Sequence, residues 1–421
     1  MDDLGILAAL VLAYALVSRR LSGSIITAPM VFVVGGIILG PDALGVVSFD
    51  LDDEVILLVA EITLVLILFT DATRIRLSTL GRGAELASRL LVIGFPLTIA
   101  LGFVGATWLI TGLEIWELAI LAVVLAPTDA ALGQAVVENT AVPARIRQAL
   151  NVESGLNDGL SVPLLVVFLG LAGAEEGVEP AGWPVVRLVL EQIGYGALIG
   201  AAVGAGGSWL IVKAFSTGWM NGLFEQLAVV SLAIIAWAGA EAAGGNGFIA
   251  AFVGGLAAGY LLLGRSRDMA ANFATDEGAL LNVTTFFIFG AAIAGPSLAE
   301  IGWREVSYGA LSLTLIRMIP VAIATVGDRL RPMSVLFLGW FGPRGIATIV
   351  LSLVVLESSE IGGAEQIELV ATTVVLMSVL LHGVSAAPLA SLYGRSMADA
   401  EDEAAEMRDV DELRTRFRTR D

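Results

Sequence analysis

Long apolar runs separated by short polar connections dominate the chain from its start to about position 391. A helix that crosses a hydrocarbon core about 30 Å thick needs roughly 17–25 predominantly apolar residues. The runs are continuously apolar rather than alternating, which favours helices over the strands of an outer-membrane barrel. Thirteen runs lie at about 3–18, 24–40, 54–70, 87–110, 115–137, 146–172, 183–213, 223–241, 246–263, 278–295, 303–326, 333–356 and 366–391. The pattern predicts an all-α integral membrane protein with about 13 transmembrane helices.

The basic residues predict an orientation, because Lys and Arg are retained on the cytoplasmic side of a membrane. They occupy alternate connections, and acidic loops occupy the others. The basic connections carry Arg19, Arg20, Arg74, Arg76, Arg82, Arg89, Arg145, Arg147, Lys213, Arg265, Arg267, Arg329, Arg331 and Arg395. With an odd number of spans, this pattern predicts a multi-pass plasma-membrane protein with its N-terminus outside and its C-terminus in the cytoplasm. The first run is interpreted as a span and not as a signal peptide, because its acidic residues precede it.

Composition agrees with the membrane class and excludes several chemistries. The chain is 57% hydrophobic and 15% charged, and it contains no cysteine and one histidine, His382. Disulfides, thiol chemistry and multi-histidine metal sites are therefore excluded. A net charge of −18 argues against a nucleic-acid partner. Since no phosphate loop, metal cluster or nucleophile–base pair is found, we expect neither an enzyme nor a cofactor.

Ionisable residues inside the apolar runs are few and clustered. Each costs about 2.5–3.5 kcal/mol at the bilayer centre, so such residues are functional candidates. The alternative is that they are paired and serve only packing, but their concentration on a few spans favours a functional role. They are Asp71, Asp129, Glu153, Asp158, Arg317 and Arg344.

Two of the runs are interrupted by proline and glycine, at "PTDA" (127–130) and "GPRG" (342–345). Proline removes a backbone donor within a helix, and freed carbonyls at membrane depth are tolerated only against protein or a cavity. The interrupted runs are the fifth and the twelfth, which correspond if spans one to six and eight to thirteen form an inverted repeat. Such a pair of interruptions predicts a transporter binding site at the repeat interface.

A third polar segment, "ESGLNDG" (153–159), lies in the sixth run. Residues four apart share a helical face, so Ser154 lies with Asp158 and Glu153 lies with Asn157. One carboxylate can then face a cavity beside a hydroxyl, while the other faces a neighbouring helix.

These motifs, together with "LIRMIPV" (315–321), resemble the NhaP-type sodium/proton antiporters of the monovalent cation:proton antiporter family, over nearly the whole chain. Two departures concern the interrupted helices: Ala130 follows Asp129 where relatives often have proline, and Pro343 stands where a glycine-rich stretch is common. The resemblance implies an NhaA-like fold, an inverted repeat with two crossed discontinuous helices, and a homodimer.

The resemblance also implies a domain organisation. Residues 1–393 would form the transmembrane domain, in which spans at about 87–172 and 303–391 form the moving ion-transport bundle and the others serve as scaffold and dimer interface. Residues 394–421 would form a cytoplasmic tail. Its Met407, Val410, Leu413 and Phe417 have helical spacing, which is typical of a short amphipathic helix, and a solvated chain end is the preferred interpretation.

The residue roles that the resemblance implies centre on one carboxylate. Asp158 would hold a cation or a proton in turn, while Glu153 and Arg317 form a structural ion pair and Asn157 and Arg344 support the helix crossing. The remaining implied cation or proton ligands are Ser154, Thr128 through its backbone oxygen, Asp129 and Asp71.

Competition between Na⁺ and H⁺ for Asp158 would give antiport, and because Asn157 cannot titrate, the expected stoichiometry is one Na⁺ for one H⁺. The expected partners are therefore Na⁺, or Li⁺ or K⁺, together with H⁺ and the lipid bilayer. A K⁺/H⁺ antiporter of the same fold is the nearest alternative. A cation channel is less well supported, because the spans offer too few polar residues for a continuous pore.

Overall fold

The computed structural model describes residues 2–21, 23–48, 54–75, 85–175, 182–262, 278–358, 361–397 and 404–408. In these ranges the regular structure is entirely helical. Eight of the described helices are long and apolar enough to cross a membrane, and four shorter apolar helices accompany them. The predicted all-α architecture is therefore confirmed for the described part of the chain.

The helix bounds follow the apolar runs closely. In chain order the helices are α1 (Asp2–Leu21), α2 (Ala28–Leu39), α3 (Glu54–Arg74), α4 (Glu85–Leu109), α5 (Ile115–Val124), α6 (Gln134–Val137), α7 (Ala144–Glu175), α8 (Trp183–Ser216), α9 (Gly222–Ala242), α10 (Gly247–Leu261), α11 (Gly278–Ser297), α12 (Trp303–Leu313), α13 (Leu315–Ala324), α14 (Pro332–Trp340), α15 (Ile346–Glu357) and α16 (Ala364–Met397).

Proline and local hydrogen bonding shape several of these helices. A π-helical turn at Leu90–Gly94 precedes Pro96 in α4, and a second π-helical turn at Phe289–Ala294 precedes Pro296 in α11. Proline cannot donate to the helical ladder, and the wider turn accommodates the missing bond. The run at 303–326 forms one of the eight candidate spans, Trp303–Ala324, which is divided into α12 and α13 at Thr314, a residue with non-helical backbone angles (φ −117°, ψ −94°).

The two segments around Pro127 and Pro343 are not helical. Helix α5 ends at Val124 and α6 begins at Gln134, while α14 ends at Trp340 and α15 begins at Ile346. Most of the residues in both gaps are nevertheless buried. Buried backbone outside helices must find hydrogen-bond partners within the protein, so these gaps are where polar groups converge.

The helices pack in two main groups. Helices α3, α8, α9 and α10, here called the glycine-rich group, contact one another through close backbone approaches. A Cβ at Gly204 in α8 would overlap the Gly254 carbonyl of α10, and a Cβ at Gly255 would overlap the Phe69 carbonyl of α3. Small residues permit such approaches in lipid, where helix association depends on van der Waals packing rather than on the hydrophobic effect.

The second set, here called the interrupted group, consists of α4–α7 and α12–α16. It surrounds both non-helical gaps. The two groups meet mainly along α7, which contacts α3, α8 and α10, and α15 also contacts α3. There a Cβ at Gly155 would lie 3.3 Å from the Asp71 Cβ, and a Cβ at Gly159 would overlap the Phe252 ring. The seam between the groups therefore runs beside "ESGLNDG".

The expected solvated chain end is wrong for residues 405 and 406. Ala405–Met407 form a 3₁₀ turn, and Glu406 is only 1% exposed. Its carboxylate accepts hydrogen bonds from α14, a long-range contact that the alternating charges of the tail do not predict. The other positions of the predicted amphipathic helix, Val410, Leu413 and Phe417, lie outside the described residues.

The close approach of α8 and α10 can be tested with two glycines of one helix. We expect Gly204→Ala to destabilise the protein by about 1–3 kcal/mol, because the added methyl group overlaps backbone that cannot rotate away. A methyl group added at Gly206 would have no neighbouring atom within 4 Å, so Gly206→Ala should leave stability unchanged or raise it slightly. Thermal unfolding in detergent measures both, and equal melting temperatures would contradict this account of the packing.

Candidate functional site

The two non-helical gaps bond directly to each other. The Asp129 backbone N–H donates to the Pro343 carbonyl oxygen (2.8 Å), and Arg344 Nη1 donates to the Pro127 carbonyl oxygen (3.1 Å). Backbone groups released at each interruption therefore find partners at the other. This satisfies polar groups that would otherwise be buried without hydrogen bonds.

The Asp129 carboxylate joins the turn that precedes α6 to the beginning of α15. Oδ1 accepts from the Ala131 N–H (2.6 Å) and the Leu132 N–H (3.3 Å), and Oδ2 accepts from the Ile346 N–H at the first residue of α15 (2.9 Å). Carboxylates are favourable at helix N-termini, where unpaired N–H groups and the helix dipole meet. Gly345 makes this contact possible, because a Cβ there would overlap the carboxylate. Both oxygens of Asp129 are thus engaged by backbone donors.

Helix α7 fixes Thr128 through three hydrogen bonds. Ser154 Oγ donates to the Thr128 carbonyl oxygen (2.5 Å). Asn157 Oδ1 accepts from the Thr128 N–H (3.2 Å), and Asn157 Nδ2 donates to Thr128 Oγ1 (2.9 Å). The amide of Asn157 thereby accepts a hydrogen bond from the backbone of Thr128 and donates one to its side chain. An ionised carboxylate at this position could accept hydrogen bonds but could not donate one.

A small cavity lies beside Thr128, Asp129 and Ser154. Its volume is about 10 Å³, close to the minimum for one water molecule. The remaining lining residues are Ala130, Gly133, Val136, Val137, Leu150, Phe341 and Pro343. The oxygen-bearing side of the cavity is therefore formed by three of the expected site residues, and the rest of its wall is mainly apolar.

Asp158 lies one helical turn beyond Ser154 and does not line this cavity. It is 7% exposed and shares the helical face of Ser154. Asp71 of α3 approaches α7 between these two levels, at Gly155, and forms an ion pair with Arg74 (3.8 Å). The structure thus brings Asp71 to the same stretch of α7 as Asp158, while Asp129 belongs to the contact between the gaps.

Glu153 and Arg317 form a buried, bidentate ion pair between α7 and α13. Arg317 Nη2 donates to Glu153 Oε2 (2.8 Å), and Nη1 donates to Oε1. Glu153 is 1% and Arg317 2% exposed. Paired guanidinium and carboxylate groups with this fork geometry are among the strongest protein hydrogen bonds. Arg317 also lies against Gly342, so the pair connects α7 with the second gap.

Two residues that the sequence motifs do not include, Ser378 and His382, hold the second gap from α16. The Arg344 backbone N–H donates to Ser378 Oγ (2.7 Å), and Ser378 Oγ contacts His382 Nδ1 (3.2 Å). His382 Nε2 contacts the Trp340 carbonyl oxygen (2.9 Å). His382 Nδ1 also lies 3.1 Å from the Ser378 carbonyl oxygen, so both ring nitrogens contact polar atoms of the protein. In the sequence, the only indication of this role is that Ser378 and His382 are polar residues four positions apart in an apolar run.

The formal charges of this cluster do not cancel. Three carboxylates, those of Asp129, Glu153 and Asp158, accompany two guanidiniums, those of Arg317 and Arg344, which leaves one negative charge when all are ionised. Asp71 and Arg74 balance each other. One proton or one monovalent cation would neutralise the cluster. Among the described residues, no group of three or more histidine, aspartate or glutamate side chains is arranged to hold a resident metal ion.

Comparison with known proteins gives consistent matches. The family model for "Sodium/hydrogen exchanger, transmembrane" matches residues 6–392. The chain is 25% identical over 394 residues to a K(+)/H(+) antiporter NhaP of Alkalimonas amylolytica, which covers 92% of this chain and 65% of that protein. It is 26% identical over 396 residues to a K(+)/H(+) antiporter NhaP2 of Shewanella sp. (strain MR-4), with 92% and 66% covered. The chain thus spans slightly less than two thirds of the length of these relatives.

A solved structure shares the fold. The sodium proton antiporter MjNhaP1 from Methanocaldococcus jannaschii matches with a TM-score of 0.71 and 19% identity, covering 92% of this chain and 98% of that one. At this identity the likeness establishes the helical fold, and the family match extends over most of the sequence. The protein is therefore a multi-pass membrane protein that belongs to the transmembrane sodium/hydrogen exchanger family.

Proposed function

We propose that the protein is a secondary-active antiporter that exchanges one Na⁺ for one H⁺, with both ions competing for Asp158. The observation that carries this proposal is the net formal charge of one negative unit on the buried carboxylates and guanidiniums described above, when all of them are ionised. Asp158 is the carboxylate assigned to exchange because it is buried in α7 on the same helical face as Ser154, one turn from the cavity beside Thr128. A proton or a Na⁺ ion on Asp158 brings the cluster to neutrality, and a neutral cluster crosses apolar surroundings at lower cost.

The ligands proposed for Na⁺ are oxygen atoms, which suit a hard cation. Asp158 supplies a carboxylate, Ser154 a hydroxyl and Thr128 a backbone carbonyl. In the described structure Ser154 Oγ bonds to the Thr128 carbonyl (2.5 Å), so cation binding would require this hydroxyl to rotate and present its oxygen. Asp71 is assigned an auxiliary role, because it reaches the same face of α7. Asp129 is assigned to hold the two gaps together.

Alternating access is proposed to occur at the seam between the two helix groups. The interrupted group would act as the transport bundle and the glycine-rich group as the scaffold and dimer interface of a homodimer. Tight backbone contacts hold the glycine-rich group together, which favours motion between the groups over motion inside it. The proposal includes 13 spans in an inverted repeat with crossed discontinuous helices, in the plasma membrane, with the N-terminus outside and the C-terminus cytoplasmic.

K⁺ is the second candidate cation. The relatives that match over 92% of the chain are named K⁺/H⁺ antiporters, whereas the matching structure is named a sodium proton antiporter. Both cations accept the same oxygen ligands, and selectivity depends on cavity size and ligand number.

The role of Asp158 is tested by cation-induced dissipation of a pH gradient in liposomes, with Na⁺, Li⁺ and K⁺ compared. We expect Asp158→Asn to lower exchange to the level of protein-free liposomes, because an amide carries neither a proton nor a cation in this cycle. Asp42→Asn makes the same chemical change at an exposed position and should leave the rate unchanged. Exchange that survives in Asp158→Asn would refute the mechanism, and exchange with K⁺ alone would change only the substrate.

Electroneutral stoichiometry is tested in the same liposomes by clamping the membrane potential. A cycle that moved one net charge would shift its equilibrium by about 2.3 kcal/mol per 100 mV, roughly 50-fold. One-for-one exchange moves no net charge, so we expect the Na⁺ gradient that balances a given pH gradient to be independent of the potential. A balance point that moves with the clamp, or a steady current, would contradict this stoichiometry.

The structural role of the Glu153–Arg317 pair predicts strong coupling between the two residues. Glu153→Gln or Arg317→Met alone should destabilise the protein by about 3–5 kcal/mol, because each leaves an uncompensated buried charge. The double variant Glu153→Met with Arg317→Met should be more stable than either single variant and should retain exchange. Unfolding and flux are measured on all variants to distinguish a structural role of the pair from a role in transport. A stable double variant without exchange would indicate that the pair carries protons.

A further inference from the structure

A short segment beyond α16, residues 404–408 and here called the tail segment, lies against the interrupted group. Ala405 is 7% and Glu406 1% exposed. The segment packs at the end of the molecule where α7 and α14 begin and α16 ends. Such burial of a glutamate requires specific partners, since a buried carboxylate without them is unfavourable.

Glu406 is recognised by the N-terminus of α14. Its Oε1 accepts from the Arg331 backbone N–H (2.7 Å) and from Ser334 Oγ (2.6 Å). Ser334 Oγ in turn accepts from Tyr393 O–H of α16 (2.8 Å). A carboxylate placed at the first turn of a nine-residue helix, with a hydroxyl donor beside it, is held by charge-assisted hydrogen bonds and by the helix dipole.

Burial by itself would raise the pKa of the Glu406 carboxyl. The hydrogen bonds from Ser334 and from the Arg331 N–H, with the positive charge of Arg331, outweigh burial and hold the pKa below its ordinary value. The carboxylate is therefore ionised at neutral pH, and its contacts persist there.

A second contact fastens the tail segment to α7. Arg145 Nη1 donates to the Ala405 carbonyl oxygen (2.8 Å), and Arg145 Nη2 pairs with Asp328 Oδ1 (3.0 Å). Arg145 belongs to the first turn of α7 and is 4% exposed. The tail segment thus binds α7 through its backbone and α14 through its side chain, while Asp328 holds the connection between α13 and α14.

The tail segment also covers an apolar cluster that borders the ion site. Met407 packs against a cluster that includes Val136, Val137, Leu150 and Phe341. These four residues form part of the wall of the small cavity beside Ser154. The cluster therefore lies between the cavity and the tail segment.

We propose that Arg145, Ser334 and the N-terminus of α14 form a docking surface for an acidic peptide segment, that the tail segment is its occupant, and that its binding holds the apolar cluster closed beside the ion site. The consequence for transport rests on the proposed function, because a cluster held closed restricts ion access from this end of the molecule. The docking itself does not depend on that function.

The test uses the absence of cysteine from the chain. Val137→Cys places a single thiol in the apolar cluster, and its modification rate by a hydrophilic maleimide is measured in detergent, where the reagent reaches both ends. We expect Glu406→Ala to raise this rate at least about threefold and Glu406→Gln to raise it less, since Gln keeps an acceptor without the charge. Ser334→Ala, which keeps Glu406, should also raise it.

Two controls separate docking from general loosening. Glu365→Ala removes an exposed carboxylate at the far end of α16 and should leave the Val137→Cys rate unchanged. A reporter at Trp219→Cys, a position that is 88% exposed, should react equally fast with and without Glu406→Ala. Equal Val137→Cys rates with and without Glu406→Ala would overturn the docking proposal.

The same substitutions without a reporter cysteine are then assayed for exchange in liposomes. Faster exchange in Glu406→Ala, with an unchanged rate in Glu365→Ala, supports control of access by the tail segment, and slower exchange in Glu406→Ala overturns it. Faster labelling with an unchanged exchange rate overturns that consequence and leaves docking intact. An absence of exchange in every protein, including the native one, would refute the proposed function and not the docking surface.

Discussion

The structure depends above all on how two stretches of non-helical backbone are satisfied inside an apolar protein. Each gap contains proline, and neither gap can complete its own hydrogen bonds. They bond to each other through Asp129 and Arg344, and α7 and α16 complete the set through Asn157 and His382. Polar groups thereby collect at one point, where ion chemistry becomes possible. The need to satisfy backbone and the capacity to bind ions have the same structural origin.

Charge balance separates the roles of chemically similar residues. Three buried carboxylates belong to the first gap and to α7, and of these backbone N–H groups engage Asp129 and a guanidinium engages Glu153. Because a buried ion pair is costly to break and a capped helix terminus is costly to uncap, these two carboxylates are held in place. In the mechanism proposed above, Asp158 takes up and releases the compensating charge. Environment, and not residue type, distinguishes the carboxylates.

The surroundings of the site divide into a part suited to remain rigid and a part suited to move. Backbone-to-backbone contacts at Gly204 and Gly255 leave α8, α10 and α3 little freedom to slide. The interrupted group is joined by side-chain hydrogen bonds, several of which cross between helices far apart in sequence. The tail segment adds one more connection to this group, between the starts of α7 and α14. Because α7 and α14 belong to the group that surrounds the site, binding or release of the tail segment can change the packing beside the site.

The sequence by itself determined the features that local chemistry controls. Apolar runs predicted the helices, proline at 127 and 343 predicted the places where they stop, and helical periodicity placed Ser154 on one face with Asp158. Motif resemblance supplied the family and suggested partners such as Glu153 and Arg317. The tertiary structure alone decided that Asp129 bonds to Ile346, that His382 holds Trp340, and that Glu406 is buried against α14. These contacts join residues from 42 to 217 positions apart, and a pattern that repeats every few residues carries no information about which distant donor a side chain will meet.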